Sequence, residues 1–224
     1  MKEHYGNIDF YVKEEIGYIE LHYLPANKMT QDFFENLSML VSELREAEIL
    51  GYIKGIIIKG AGKHFSAGAD VDMLKVMMKE PQNDKIDGNL PIGHVRDKKC
   101  FTSLADLPIP VISVVSGFCI GSGLELALAC KIRIAEKKTK VGFPESTFGF
   151  LPALGGNVRA VKSAGLEKAL DMVLSGNIYD IEEIENWGLF HYVTEKNEGT
   201  SLAKEIIFKG EGNRYGKVCK NCGN

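Results

Sequence analysis

Two kinds of hydrophobic spacing alternate along the first sixty residues. Residues 10–12 and 16–21 are short apolar runs separated by Lys13-Glu14-Glu15, which predicts an antiparallel hairpin. The period then changes. From residue 31 to 48, Phe33, Leu37, Leu40, Val41, Leu44 and Ala47 recur at helical intervals, with Thr30 placed as an N-cap. Gly55-Ile56-Ile57-Ile58-Lys59 follows as a buried strand running into a glycine-rich loop. Strand, strand, helix, strand is the rhythm of an α/β domain.

Further along, residues 78–99 hold Pro81, Asn83, Asp84, Asp87, Gly88, Asn89 and Pro91, a composition that predicts a mobile surface loop. Past Pro108 and Pro110, Val111–Val115 reads as a second buried strand, and residues 124–129 as a helix apolar on nearly every side, hence a core helix. More helices are predicted over 155–163, 166–174 and 180–186, the last with Asp180 and Glu183 as cap and third residue. A final helix is predicted over 201–208. With no repeat and no linker, residues 1–196 read as one α/β core domain and 197–224 as a short C-terminal helix and tail, either truncated or with its cap supplied differently.

Composition narrows the function classes. A chain of 224 residues, 45% hydrophobic and 25% charged, has what one globular domain with a sizeable core needs. With 27 basic against 30 acidic residues and no long basic block, it lacks the concentrated positive surface of a nucleic-acid binder. No apolar run approaches the roughly 20 residues of a membrane span, and residues 1–10 do not resemble a targeting peptide. A cytoplasmic location is the expectation. Cys119 and Cys130 lie in apolar segments and read as core; Cys219 and Cys222 form a lone CxxC without the second ligand pair of a structural zinc site, so no metal is expected.

Chemistry concentrates in three segments. Glu125 sits in Gly121-Ser122-Gly123-Leu124-Glu125-Leu126-Ala127-Leu128-Ala129, where no charged residue lies three or four positions away. A carboxylate there is costly to bury uncompensated. It is either a structural Glu satisfied by Arg133, Arg159 or backbone donors, or a functional one. The preceding glycines allow close backbone approach, and the first-turn N–H groups of the helix make a site for negative charge. A second small-residue loop, Gly60-Ala61-Gly62-Lys63-His64-Phe65-Ser66-Ala67-Gly68-Ala69-Asp70-Val71-Asp72, follows the first buried strand and offers another N–H donor, as a two-donor oxyanion hole requires. The third segment, Val141-Gly142-Phe143-Pro144-Glu145, brings a second isolated acid. Two such acids suggest a general acid and base pair. His64 and His94 read as surface residues.

Together these segments resemble the crotonase (enoyl-CoA hydratase/isomerase) superfamily, on Phe65 to Asp70, Pro110-Val111-Ile112, Gly117-Phe118, Gly121 to Ala127, Phe143-Pro144-Glu145 and Gly149 to Gly156. The resemblance runs from about residue 8 to 193. It implies a spiral of ββα units, here with a shortened C-terminal helical region, assembled as a homotrimer or dimer of trimers. It implies an acyl-CoA thioester as ligand, with coenzyme A arriving only as part of the substrate and no other cofactor. Lys63, Ser66, Ala67, Ala69, Asp70, Val71 and Gly121 are the implied substrate and coenzyme A contacts, Ala69 and Ser122 the oxyanion-hole N–H donors, and Glu125 and Glu145 the catalytic carboxylates. Ser122 stands where glycine is usual. The implied reaction is hydration of a 2-enoyl-CoA, with double-bond isomerisation as the alternative and a non-catalytic acyl-CoA-binding or scaffold protein as a third reading.

Overall fold

The computed structural model describes residues 2–46, 48–70 and 92–210. Three strands open the chain as an antiparallel meander: β1 (Lys2–Tyr5), β2 (Ile8–Lys13) and β3 (Ile16–Leu21). The β2–β3 connection is a two-residue loop, because Lys13 pairs with Ile16 and both Glu14 and Glu15 have positive φ, the backbone twist such hairpins favour. Strand β1 escapes the sequence pattern because Lys2, Glu3 and His4 are all exposed.

After β3 the chain crosses through helix α1 (Gln31–Glu46), whose Phe33, Phe34, Leu37, Leu40, Val41 and Leu44 are buried, and returns as β4 (Gly55–Gly60), parallel to β3. Helix α2 (Ile92–Ala105) leads to β5 (Val111–Val115), parallel to β4 and buried at every position. Such a strand needs cover on both faces. A short β6 (Phe118–Ile120) precedes helix α3 (Ser122–Ala129), and β7 (Ile132–Glu136) returns parallel to β5. Then come β8 (Lys140–Gly142), helices α4 (Gly156–Ala164) and α5 (Leu166–Ser175), β9 (Ile178–Asp180), β10 (Tyr192–Thr194) and helix α6 (Gly199–Lys209). The main sheet has the order β1-β2-β3-β4-β5-β7-β10, and β6-β8-β9 form a second, smaller sheet.

The core lies on both faces of the large sheet. The larger cluster packs α1, α2 and α3 on one face; Ile16, Tyr18, Ile57, Ile112, Val114 and Ile134 face α6 on the other, against Ala203 and Ile207. A Cβ on Gly55 would lie 2.9 Å from Ile207, so α6 is seated closely on the sheet.

Two expectations change. Residues 92–99 belong to α2 rather than to a loop, because Cys100, Phe101 and Leu104 are buried and tertiary packing overrides local composition; the rest of the expected loop, 78–91, lies outside the described residues. Residues 180–186 form two 3₁₀ turns instead of an α-helix, although the Asp180–Glu183 capping box is present as expected. Among the described residues no helix is long and apolar enough to cross a membrane.

Candidate active site

Strands β4 and β5 are parallel neighbours, so the loops leaving their C-terminal ends fall side by side. Backbone hydrogen bonds sew them together. Ser66 N–H donates to the Phe118 carbonyl at 2.8 Å, Ile120 N–H donates back to the Ser66 carbonyl at 3.2 Å, and Phe65 N–H donates to Ser116. Glycines make the approach possible. A Cβ on Gly68 would fall 2.8 Å from the Ile120 carbonyl oxygen and 3.4 Å from the Ser122 nitrogen; one on Gly123 would meet Ser66 Cβ at 2.8 Å.

On its other side the first loop is held by Asn27, which is buried with φ +50°. Its Nδ2 donates to the carbonyls of Ala61 and His64 at 3.0 and 2.7 Å, and its own carbonyl accepts from Ser66 Oγ at 2.7 Å. Ser66 Oγ also accepts from Gly68 N–H at 3.1 Å, so this fully buried hydroxyl shapes the loop from within. Sequence reasoning passed over Asn27. The available signal was an Asn in a Pro-Ala-Asn turn, a residue that tolerates left-handed backbone and carries two donors.

Where the loops meet, the N–H groups of Ala69 and Ser122 stand out among the described residues. Around Ala69 the bonds run from Met29 N–H to the Gly68 carbonyl and from Asp70 N–H to the Met29 carbonyl, which bypasses Ala69 N–H. Ser122 is the first residue of α3, where an N–H has no intrahelical acceptor. Among the described residues neither group donates to a protein acceptor, and the Gly68 contact puts the Ser122 nitrogen against the residue preceding Ala69.

Both carboxyls flank this place. Glu125, one turn into α3, is 1% exposed; its Oε1 accepts N–H groups from Leu154 and Gly156, both at 2.8 Å. Of the two arginines suggested as partners, Arg159 faces Glu125, whereas Arg133 is spent on the Leu189 and Cys130 carbonyls. Glu145, in a 3₁₀ turn (Pro144–Phe148), lays its carboxyl over Gly121, where a Cβ would stand 3.1 Å from Oε1. Its Oε2 is buried and, among the described residues, has no hydrogen-bond partner. Burial raises both acids, Glu125 to about 8 with a further push from Glu145's charge, and Glu145 to about 7. A coupled pair of this kind keeps one proton near neutrality.

The remaining expected contacts line the first loop. Lys63 is exposed, Ala67 has its N–H bonded to the Ala26 carbonyl, and Asp70 lies 3.5 Å from Lys28 Nζ. Val71 lies outside the described residues. His64 is a structural part rather than a free surface residue: its Nδ1 accepts the Phe118 N–H at 3.0 Å and its ring stacks on Phe118 at 4.3 Å.

Peptide donors without an acceptor among the described residues, beside two raised carboxyls at the ends of parallel strands, are the groups that could hold negative charge and move a proton. Comparison gives this class its family. A profile of the Enoyl-CoA hydratase/isomerase family matches residues 12–208, and the chain belongs to that family. It is 33% identical over 197 residues to a probable enoyl-CoA hydratase of Bacillus subtilis (strain 168), covering 88% of this chain and 72% of that protein. It is 34% identical over 188 residues to the fatty acid oxidation complex subunit alpha of Shewanella frigidimarina (strain NCIMB 400), covering 83% of this chain and 25% of that one. The chain thus spans about a quarter of the alpha subunits it matches. The crystal structure of an enoyl-CoA hydratase from Bacillus anthracis superposes with a TM-score of 0.79 at 27% identity, covering 93% of this chain and 78% of that chain.

Burial of Glu125 makes a stability prediction. Its folded-state value, about 8, lies above the ordinary 4.5, so between these values the unfolded chain releases a proton the folded protein keeps. Stability therefore falls as pH rises through this window. Glu125→Gln retains an oxygen for both N–H groups and never ionises. Its melting temperature should gain on the wild type from about pH 5 to about pH 8, by the equivalent of roughly 1–3 kcal/mol. A constant gap between the two proteins would show that burial does not hold the proton there.

Proposed function

We propose that the protein is an enoyl-CoA hydratase, adding water across the double bond of a 2-enoyl-CoA thioester. The observation that carries the reading is the pairing of two raised carboxyls with the free N–H groups of Ala69 and Ser122. The thioester carbonyl sits between those donors. Glu125 accepts a proton from the water that attacks Cβ, the enolate oxygen is held by the two N–H groups, and Glu145 delivers a proton to Cα. Two N–H groups fix Glu125 Oε1 and favour its anion, while burial, with its value raised to about 8, makes that anion a strong base held by the minority of molecules ionised near neutrality. One proton leaves Glu145 and one arrives on Glu125, so the pair's total charge is unchanged.

Isomerisation is the second reading, favoured by one observation. Because Glu125 Oε1 already brackets the turn at 154–156, Glu125 would serve there as a structural group, leaving Glu145 alone to shuttle the proton. Glu125→Gln preserves the bracket and separates the two. For hydration, absorbance at the enoyl thioester band with a short-chain 2-enoyl-CoA should show a loss on the order of 10²–10⁴-fold in Glu125→Gln and in Glu145→Gln. Hydration by Glu125→Gln at the wild-type rate sinks the two-carboxylate mechanism.

Coenzyme A lies along the first loop, with the pantetheine amides pairing at the Ala67 carbonyl and Lys63 facing the nucleotide phosphates. Exposure of Lys63 at the loop's outer end supports this. Lys63→Glu should raise the dissociation constant of coenzyme A more than it changes kcat; an unaltered constant removes Lys63 from the site.

The protomers assemble as a homotrimer or a dimer of trimers. In support, Leu166, Leu170 and Leu174 leave an apolar row at four-residue spacing along α5, 62%, 44% and 65% exposed. Such a contiguous row is rarely left to water. Light scattering should give a mass of three or six chains, and a monomer at micromolar concentration overturns the assembly.

A further inference from the structure

We infer that Arg159 is a positioning residue for Glu125, acting through the turn at 154–156 that grips the carboxyl. The inference rests on the reading of Glu125 as the base that activates water. Arg159 lies in the first turn of α4, and its backbone N–H bonds to the Gly155 carbonyl at 3.0 Å. The side chain folds back onto that same turn. Nη1 donates to the Leu154 carbonyl at 2.8 Å, and the guanidinium fills the space beside Gly155, where a Cβ would stand 2.6 Å from Nη1 and 3.3 Å from Cζ. Gly155 also has φ +95°, so both its backbone and the guanidinium above it require glycine.

Leu154 and Gly156, on either side, supply the two N–H groups that meet at Glu125 Oε1. Gly156 is bare for the same close fit: a Cβ there would lie 2.5 Å from Glu125 Cγ. The chain of contacts is therefore guanidinium to Leu154 carbonyl, Leu154 and Gly156 amides to carboxylate. At the far end Nη2 reaches Thr102 Oγ1 on α2 at 3.5 Å, tying the turn to a neighbouring helix. A planar fork can reach both sides at once; a lysine ammonium has a single nitrogen.

Charge adds to geometry. Among the described residues Arg159 forms no ion pair with a carboxylate, and the acids it faces at longer range are Glu125 and Asp106, with the Cys130 thiol nearby. The charged groups facing Glu125 are Glu145 from the 3₁₀ turn and Arg159 from α4. Glu145 and burial oppose ionisation of Glu125; Arg159 favours it. Removing the cation raises the Glu125 carboxyl further. Because the base must be ionised to accept a proton, the acid limb of the rate profile then moves to higher pH.

The test compares wild type, Arg159→Met and Arg159→Lys in pH profiles of enoyl-CoA hydration, alongside an infrared titration of the ¹³C-labelled carboxyls, with Glu125→Gln identifying the Glu125 band. Arg159→Met should lower kcat on the order of 10- to 100-fold with little change in KM, since the guanidinium works behind the carboxyl. Its acid limb and the Glu125 band should both move up by on the order of one pH unit. Arg159→Lys should restore the titration and part of kcat. Profiles and bands that match wild type in Arg159→Met overturn the inference, as does a fall in kcat with an unmoved Glu125 band and no rescue by lysine. If Arg159→Met does not fold, Arg159→Leu with the same titration decides, and an Arg159→Lys protein with the kcat and band of wild type shows that the fork is dispensable and overturns it. A wild type that hydrates no enoyl-CoA refutes the proposed function, and the carboxyl titration still judges Arg159.

Discussion

Everything at this site depends on a seam of backbone between two loops. The reciprocal bonds of Ser66 with Phe118 and Ile120 extend the pairing of β4 and β5 beyond the sheet itself. Because this pairing consumes peptide groups on the facing sides, its register sets what remains: among the described residues the N–H groups of Ala69 and Ser122 find no acceptor. Such orphan donors are costly when shut away from any acceptor. Asn27 and the Ser66 hydroxyl keep the first loop in that register from behind, and the Gly68 and Gly123 contacts bring it close enough to the second.

The carboxyls pose the opposite problem. Burying two acids within one small volume disfavours ionisation of both, and the protein offsets this unequally, with two amides on Glu125 and, among the described residues, none on Glu145 Oε2. That asymmetry gives two side chains of one type different surroundings. It also places in the core a carboxyl whose ionisation costs stability as pH rises.

Much of this was legible in the sequence because its signals are local. Isolated acids in apolar stretches, glycines after buried strands, and a helix apolar on every side all point to Glu125, Glu145 and the two loops, and the resemblance to crotonases implied Ala69 and Ser122 as donors. The parts that were not legible depend on distant partners. Arg159 and Arg133 are indistinguishable by spacing, yet one folds back onto Gly155 and the other fastens the end of α3 to Leu189. Asn27 sits nearly forty residues before the loop it holds. Helix α2 was hidden for a related reason, since its formation rests on Phe101 and Leu104 meeting α1 and not on the propensities of the residues around it.

Helix α6 sits on the far face of the sheet, and it is formed from residues that leave the ribosome after every strand it covers. Until Ala203 and Ile207 emerge, Ile16, Ile57, Ile112 and Ile134 are a bare apolar surface on an otherwise pairable sheet. The nascent chain therefore carries an adhesive face until α6 has formed, and completion of that helix is the event that closes it. Its vulnerability to aggregation is greatest during translation, when the strands exist and their cover does not.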